Sequence, residues 1–173
     1  GFKPINIGNT RISGYEAGLT GQFDVFSVPV TTIIGYTYIN PVYKNFDQRP
    51  EIKDNISTTQ NVLKYRSKHS AKADLEASYK NFKLGYAIQY YSHVINIDSR
   101  FEAPIAEVDL FSIKAYRDRD NDGSVFMDAR LSYTLNKYTL GFLINNLTNA
   151  AYTTRPGLLE APRNVSVRLD VAL

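Results

Sequence analysis

Residues 14–25 read Gly14-Tyr15-Glu16-Ala17-Gly18-Leu19-Thr20-Gly21-Gln22-Phe23-Asp24-Val25, with apolar or small residues at odd positions and polar or small residues at even positions. Successive side chains of a β-strand point to opposite faces, so this pattern predicts a strand with one apolar and one polar face. The stretch is longer than the roughly 5–6 residues of a usual globular strand. Its length is close to the ~9–11 residues with which a tilted strand crosses a bilayer. We therefore expect a membrane-spanning strand.

The same period of two recurs in six further segments. The predicted strands cover residues 14–25, 28–38, 71–79, 82–90, 125–134, 138–145 and 164–173. Tight turns are expected near residues 26–27, 80–81 and 136–137, and long connections at roughly 41–68, 95–123 and 148–162. Short turns on one side and long loops on the other are typical of outer-membrane barrels, in which the long loops lie outside. The chain is therefore predicted to be all-β, with its strands in an antiparallel transmembrane β-barrel.

Aromatic residues are predicted to lie near both ends of these strands, as expected for rings at the two interfaces of a membrane. One group lies at the short turns and comprises Phe26, Tyr79, Phe82, Tyr133 and Tyr138. The other group lies near the opposite strand ends and comprises Tyr36, Tyr38, Tyr90 and Tyr91. A soluble antiparallel sandwich also alternates, but it explains neither the strand length nor these two girdles, and it would have to cover its open edges.

Composition excludes several other classes of protein. The 173 residues contain no cysteine, so neither a disulfide framework nor a thiolate metal site can form. The net charge of +3 is mild and scattered, which argues against nucleic-acid binding. No stretch of ~18 apolar residues could form a transmembrane helix. Nucleophile elbow, P-loop and dinucleotide motifs are missing and the two histidines are isolated, so we expect no enzymatic activity.

Four motifs, in order along the chain, resemble those of TonB-dependent outer-membrane receptors. The segment Asn6-Ile7-Gly8-Asn9-Thr10-Arg11-Ile12-Ser13-Gly14-Tyr15-Glu16 is similar to their lead into a late barrel strand. Leu63-Lys64-Tyr65-Arg66-Ser67-Lys68-His69 resembles a second lead, with Ser67 in place of proline. Asn145-Asn146-Leu147-Thr148-Asn149-Ala150-Ala151-Tyr152 and then Pro156-Gly157 with Ala161-Pro162-Arg163 resemble the approach to the final strand. Leu173 departs from the family, whose barrels commonly end in phenylalanine.

This resemblance implies that residues 1–173 are the C-terminal barrel segment, the last seven or so strands, of a 22-stranded barrel closed by an N-terminal plug. The plug and the remaining strands would come from a preceding segment or a companion chain. The resemblance further implies location in the bacterial outer membrane, contact with its lipid and lipopolysaccharide, and energy from the TonB complex. The expected function is active uptake of ferric siderophores or a similar scarce nutrient. The alternative is a passive porin-like or structural component of a surface complex.

Three groups of residues are candidates for function. Polar residues expected to face the barrel lumen or contact the plug are Glu16, Asp74, Glu76, Asp128, Arg130 and Arg168. Aromatic and arginine side chains of the outside loops suit recognition of anionic or ring-bearing ligands, and these are Tyr43, Arg49, Tyr116, Arg117, Arg119, Tyr152 and Arg155. Asp118, Asp120 and Asp122 precede Gly123 as in the first half of an EF-hand loop, so Ca²⁺ is a possible cofactor before strand five. Ala129 stands where the bidentate acid would be, and a solvated turn remains the alternative.

Overall fold

The structure, a computed structural model, describes residues 8–102, 112–155 and 158–172, with the backbone only of residues 154–155. Within these residues the strands are β1 (Thr10–Val25), β2 (Val28–Tyr43), β3 (His69–Tyr79), β4 (Phe82–Tyr91), β5 (Ser124–Leu135), β6 (Tyr138–Asn145), β7 (Thr153–Arg155), β8 (Leu158–Leu159) and β9 (Asn164–Val171). The helices are α1 (Pro50–Lys53) and α2 (Ile113–Arg119), with 3-10 turns at Phe46–Gln48 and Ser99–Phe101. None of the described helices has the length and apolar character needed to span a membrane.

Seven strands form one sheet in the order β1-β2-β3-β4-β5-β6-β9, and β7 pairs with β8 separately. Each pair from β3 to β9 is antiparallel. The seven predicted strands and their tight turns are confirmed. The largest extensions are in the first two strands, because β1 begins at Thr10 rather than residue 14 and β2 continues to Tyr43 rather than residue 38. The β7–β8 hairpin within the third long connection was not predicted, since its strands are too short to show a period.

The chain divides into two compact units. The first comprises Gly1–Tyr15, Tyr38–His69 and Ser92–Gly123, and the second comprises Glu16–Thr37, Ser70–Tyr91 and Ser124–Leu173. The first unit therefore holds two of the long connections, whereas the second holds most of the sheet.

In the second unit the strand register produces one apolar and one polar face. One cross-strand row contains Ala77, Leu84, Leu131, Phe142 and Val167. These side chains are open to the surroundings, with Leu84 58% and Val167 63% exposed. A water-soluble sheet would bury such a face, whereas the outer wall of a transmembrane barrel turns it toward lipid. The arrangement is that of part of a transmembrane barrel.

The first unit has a small apolar core made by its loops. Its members are Tyr43, Phe46, Ile52, Ile56 and Leu63. Tyr43 corrects the sequence prediction, because it is the last residue of β2 and only 3% exposed rather than part of an open loop. The Tyr43 N–H donates to Asn61 Oδ1 at 2.9 Å, and Asn61 Nδ2 donates to the Tyr43 carbonyl at 3.0 Å. The Asn61 side-chain amide thus satisfies both backbone groups of Tyr43, as a neighbouring strand would.

Candidate functional site

On the polar face of the second unit, a glycine makes room for an arginine. Glu76, Gly85 and Arg130 lie side by side on β3, β4 and β5. Because Gly85 has no side chain, the Arg130 guanidinium crosses β4 and reaches Asp74 on β3. Arg130 Nη1 donates to Asp74 Oδ2 at 2.8 Å, and Nη2 donates to Asp74 Oδ1 at 2.6 Å. Nη2 also lies 3.4 Å from Glu76 Oε2, so one cation serves two carboxylates.

The other lumen candidates are distributed more widely. Asp128 accepts the Asn146 N–H at 2.9 Å, and Arg168 pairs with Asp170 on its own strand at 2.8 Å. Glu16 lies on β1, at the opposite edge of the sheet from β9. The structure therefore brings Asp74, Glu76 and Arg130 together, and the remaining three stay apart. Contact of these residues with a plug stays a prediction.

The asparagine-rich motif after β6 holds the following loop in place. Asn146, at φ 51° and only 4% exposed, accepts the Ala150 N–H through Oδ1 at 2.9 Å. Its Nδ2 donates to the carbonyls of Ala150 and Ala161 at 2.9 and 3.2 Å. Asn149 adds a bond from its Oδ1 to the Arg163 N–H at 2.9 Å. Two asparagines thus tie both ends of this loop, which explains their spacing in the motif.

This loop delivers Tyr152 to a stack of three aromatic rings. The Tyr152 and Phe126 rings are 4.5 Å apart with an interplanar angle of 10°. Phe126 stacks in turn on Tyr91, at 5.9 Å and 18°. Phe126 pairs with Gln89, so Phe126 and Tyr91 lie on the polar face, whereas Tyr90 pairs with Val125 on the apolar face. Burial, followed by the charge of Glu160, raises the pKa of Tyr152. We call Tyr91, Phe126 and Tyr152 the ring stack.

The ring stack corrects one prediction and adds a residue that sequence reasoning missed. Tyr91 belongs to the polar face and not to the membrane girdle, because its neighbour Tyr90 occupies the apolar register. Phe126 was not singled out in the sequence. The available signal was its position in the alternation of β5, because an aromatic residue among the polar positions of the strand does not face lipid.

In the first unit, one buried asparagine joins the two long loops. Asn96 is 0% exposed, and its Oδ1 accepts the Ser57 N–H at 3.2 Å. Its Nδ2 donates to the Val62 carbonyl, and its own carbonyl accepts the Tyr65 N–H at 2.8 Å. All these bonds connect residues from different loops, so Asn96 gives the unit a defined arrangement.

Asp98 forms a second clamp between the same two loops. Its carboxylate accepts hydrogen bonds from Lys64 Nζ and from the Tyr65 hydroxyl. Partial burial acts to raise the pKa of Asp98, but the bonds from Lys64 and Tyr65 outweigh it and hold that pKa below its usual range. Burial and the bond to Asp98 raise the pKa of Tyr65 to about 12. The clamp is thus stable with a charged Asp98 and a neutral Tyr65.

Arg117 on α2 is engaged within the first unit. Its Nε donates to Glu102 Oε1 at 2.6 Å, and its Nη2 donates to the carbonyls of Val94 and Ile95 at 2.8 and 3.2 Å. Burial, then the charge of Arg117, lowers the pKa of His93. Arg117 therefore anchors α2 to the loop, and recognition of a ligand through it stays a prediction.

Of the remaining loop candidates, Tyr116 and Arg119 are exposed and Arg49 is half-buried. The Arg119 guanidinium lies 5.7 Å from the centre of the exposed Tyr116 ring. Arg49 Nε pairs with the exposed Glu51 at 2.6 Å, and this hydrogen bond is the main cause of the lowered pKa of Glu51. The side chain of Arg155 lies outside the described residues, as do residues 6–7, Pro156-Gly157 and Leu173. Tyr116 and Arg119 thus lie together, and ligand recognition by these residues stays a prediction.

The acidic motif before β5 is partly helical rather than a loop. α2 continues to Arg119, and Asp118 pairs with Lys114 one turn earlier at 2.6 Å. This bond raises the pKa of Lys114. Asp120 pairs with Arg119 at 2.7 Å, and among the described residues no three acidic or histidine side chains are grouped to hold a metal. Calcium binding stays a prediction, which calcium titration of wild type against Asp120→Asn would test.

Comparison with known proteins places this geometry in a family. The family model described as TonB dependent receptor-like, beta-barrel matches residues 1–147. The chain therefore belongs to this family of outer-membrane transport barrels, whose members are receptors rather than enzymes. A search of curated proteins found no match.

Proposed function

We propose that this chain is part of an active transporter of the outer membrane that takes up ferric siderophores or a similar scarce nutrient. Membership of the TonB-dependent receptor family supports outer-membrane, TonB-dependent transport in general. The observation that carries the ligand class is the ring stack on the polar face of the second unit.

The ring stack suits a ligand with a flat or ring-bearing part. Stacked aromatic side chains offer a large, rigid and partly apolar surface, and rigid anchors lose little freedom on binding. Tyr91 remains 38% exposed, so an edge of the stack is open. Tyr91 and Tyr152 also carry hydroxyls, which can donate hydrogen bonds to catecholate or hydroxamate-like groups.

The proposal requires partners besides this chain. An open sheet edge is not tolerated in lipid, so further strands from a preceding segment or a companion chain would pair with β1 and β9. The family implies a plug and the TonB complex. The Arg130 network is our proposed contact for the plug, because it presents a guanidinium and two carboxylates on the polar face of the sheet.

Uptake of a radiolabelled ferric siderophore by cells carrying the whole receptor tests the proposal. Uptake should require TonB, and Tyr152→Ala should weaken ligand binding about five- to tenfold by removing one ring of the stack. Tyr90→Ala is the control, because it removes the same kind of side chain from β4, next to Tyr91 of the ring stack but on the apolar face. Passage without TonB would favour the alternative, a passive porin-like or structural component. Equal effects of the two variants would remove the ring stack from recognition.

A further inference from the structure

The apolar face of the second unit carries lysines at its short-turn end. Lys80 Nζ lies 5.2 Å from the centre of the Tyr79 ring, at the turn between β3 and β4. Lys137 Nζ lies 5.8 Å from the centre of the Tyr138 ring, at the turn between β5 and β6. Both lysines are exposed, and neither has an ion-pair partner within the described chain. Two free cations are thus held over two tyrosine rings.

An aromatic pair lies between the two turns. Phe82 and Tyr133 face each other across β4 and β5, with ring centres 4.6 Å apart. Lys80 follows the end of β3 and Lys137 precedes the start of β6, so the two lysines lie three strand spacings, or about 14 Å, apart along the sheet. The rows behind this rim are apolar and exposed, beginning with Leu84 and Leu131. Cations, aromatic rim and apolar band therefore follow one another in that order.

Among the residues that the structure describes, the nearby carboxylates belong to the other face of the sheet. Asp170 pairs with Thr139 in the polar register, where it also binds Arg168. Glu76 lies on the polar face as well, beside Gly85. The apolar face at this end is consequently cationic, and the cations lie at the depth where a membrane changes from hydrocarbon to headgroups.

We propose that Lys80 and Lys137 each bind the phosphate headgroup of an anionic phospholipid whose acyl chains lie along the apolar band. An acidic soluble protein would match the lysines but leave the apolar rows uncovered. Only an anionic amphiphile matches both. Short turns of such barrels lie on the periplasmic side, so the lipid belongs to the periplasmic leaflet. This inference rests on the membrane placement in the proposed function.

Native mass spectrometry of the whole detergent-purified receptor tests this site. Dioleoylphosphatidylglycerol is titrated against dioleoylphosphatidylcholine, which has the same chains but no net charge. We expect Lys80→Gln and Lys137→Gln each to weaken phosphatidylglycerol binding about fivefold, and phosphatidylcholine binding to be unchanged. Lys83→Gln, which removes the same charge from the polar face of the same hairpin, should have no effect.

Further measurements show which results would overturn the lipid site and which would overturn the proposed function. Equal losses with Lys83→Gln, or none with Lys80→Gln and Lys137→Gln, would overturn the site. Competition by inorganic phosphate as strong as by the lipid would also overturn it, because the apolar band would then contribute nothing. Lipopolysaccharide as the preferred ligand would contradict the periplasmic leaflet. Uptake is measured on the same variants. Lysine-dependent lipid binding without TonB-dependent uptake would reject the proposed function alone, and the reverse would reject the lipid site alone.

Discussion

On the polar face, Gly85 determines whether Arg130 can form its ion pair with Asp74. At Gly85 an added Cβ would lie 2.3 Å from Arg130 Nε and 2.5 Å from Arg130 Cγ. These distances are far below van der Waals contact, so any side chain here must displace the guanidinium from Asp74. The glycine is therefore required by the close approach of a neighbouring side chain.

Gly85→Ala should lower the free energy of unfolding by about 1–3 kcal/mol, because it overpacks the site and breaks the Arg130–Asp74 pair. Gly141→Ala is the control, since a Cβ there would meet only Arg168 atoms at 3.8 and 3.9 Å. That change should stay within about 0.5 kcal/mol of wild type. Urea unfolding of the whole receptor from lipid vesicles measures both. Equal losses at Gly85 and Gly141 would show that the close approach of Arg130 is not the reason for glycine at position 85.

Asn146 is the second residue whose chemistry is decisive. Asn146→Asp keeps the shape but replaces the Nδ2 donor with an acceptor that faces the carbonyls of Ala150 and Ala161. We expect a loss of about 3 kcal/mol in this buried position. Asn149→Asp should be close to neutral, because the bond that Asn149 makes to the Arg163 N–H uses its oxygen. The same unfolding measurement compares them, and a severe effect of Asn149→Asp would contradict this division of roles.

The sequence predicted correctly on which face of the sheet a strand residue lies, but it did not predict which other residues that side chain contacts. Glu76 and Arg130 were assigned to the correct face because side chains alternate strictly along a strand. Their meeting across Gly85 depends on the register between β3, β4 and β5, which one strand's pattern does not contain. Tyr43 was misplaced because its burial depends on the folded loop that follows β2, including the apolar core and the bond to Asn61.

Among the elements, the strands were predictable and the folded loops were not. Tight turns at residues 26–27, 80–81 and 136–137 followed directly from the strand ends. The loops of the first unit instead depend on Asn96 and Asp98, polar residues that look like ordinary surface residues in the sequence. Their contacts join positions more than thirty residues apart, which no local period reveals.

The Asp98 clamp makes the first unit sensitive to pH. The pKa of Asp98 is lowered on folding, so the open loop binds more protons than the closed one at acid pH. Its contribution to stability is present above the unfolded pKa of about 4 and is lost as the pH falls through the folded pKa. Tyr65 acts in the opposite direction. Its contribution is present below about pH 10 and is lost as the pH rises toward about 12.

Hydrogen exchange at the Tyr65 amide, which bonds to the Asn96 carbonyl, reports the opening of this clamp. We expect its protection factor to be constant near neutral pH and to fall below about pH 4. Asp98→Asn should remove the acid transition and lower protection at neutral pH. Asp47→Asn, a change in the same unit at an almost fully exposed carboxylate, should leave the transition in place. A transition unaffected by Asp98→Asn would place the titrating group elsewhere.

For the whole molecule, the strands with one apolar and one polar face and the family membership both indicate part of the wall of a transmembrane barrel. The sheet ends at β1 on one side and at β9 on the other. Exposed apolar rows and a polar face with shared charges are what the wall of a transmembrane barrel requires. The family was predictable from four ordered motifs, whereas the transported ligand depends on surfaces that this chain shares with its proposed partners.

The most direct test is a cysteine scan along β5 and β6 of the whole receptor in lipid vesicles. The chain contains no native cysteine, so each introduced thiol is the only one it contributes. Labels at Leu131, Leu140 and Phe142 should be quenched by a lipid-borne quencher, and thiols at Ser132 and Gly141 should react with a water-soluble maleimide. Quenching that alternates with a period of two is the predicted result. Water access on both faces, or no alternation, would contradict a membrane-spanning wall.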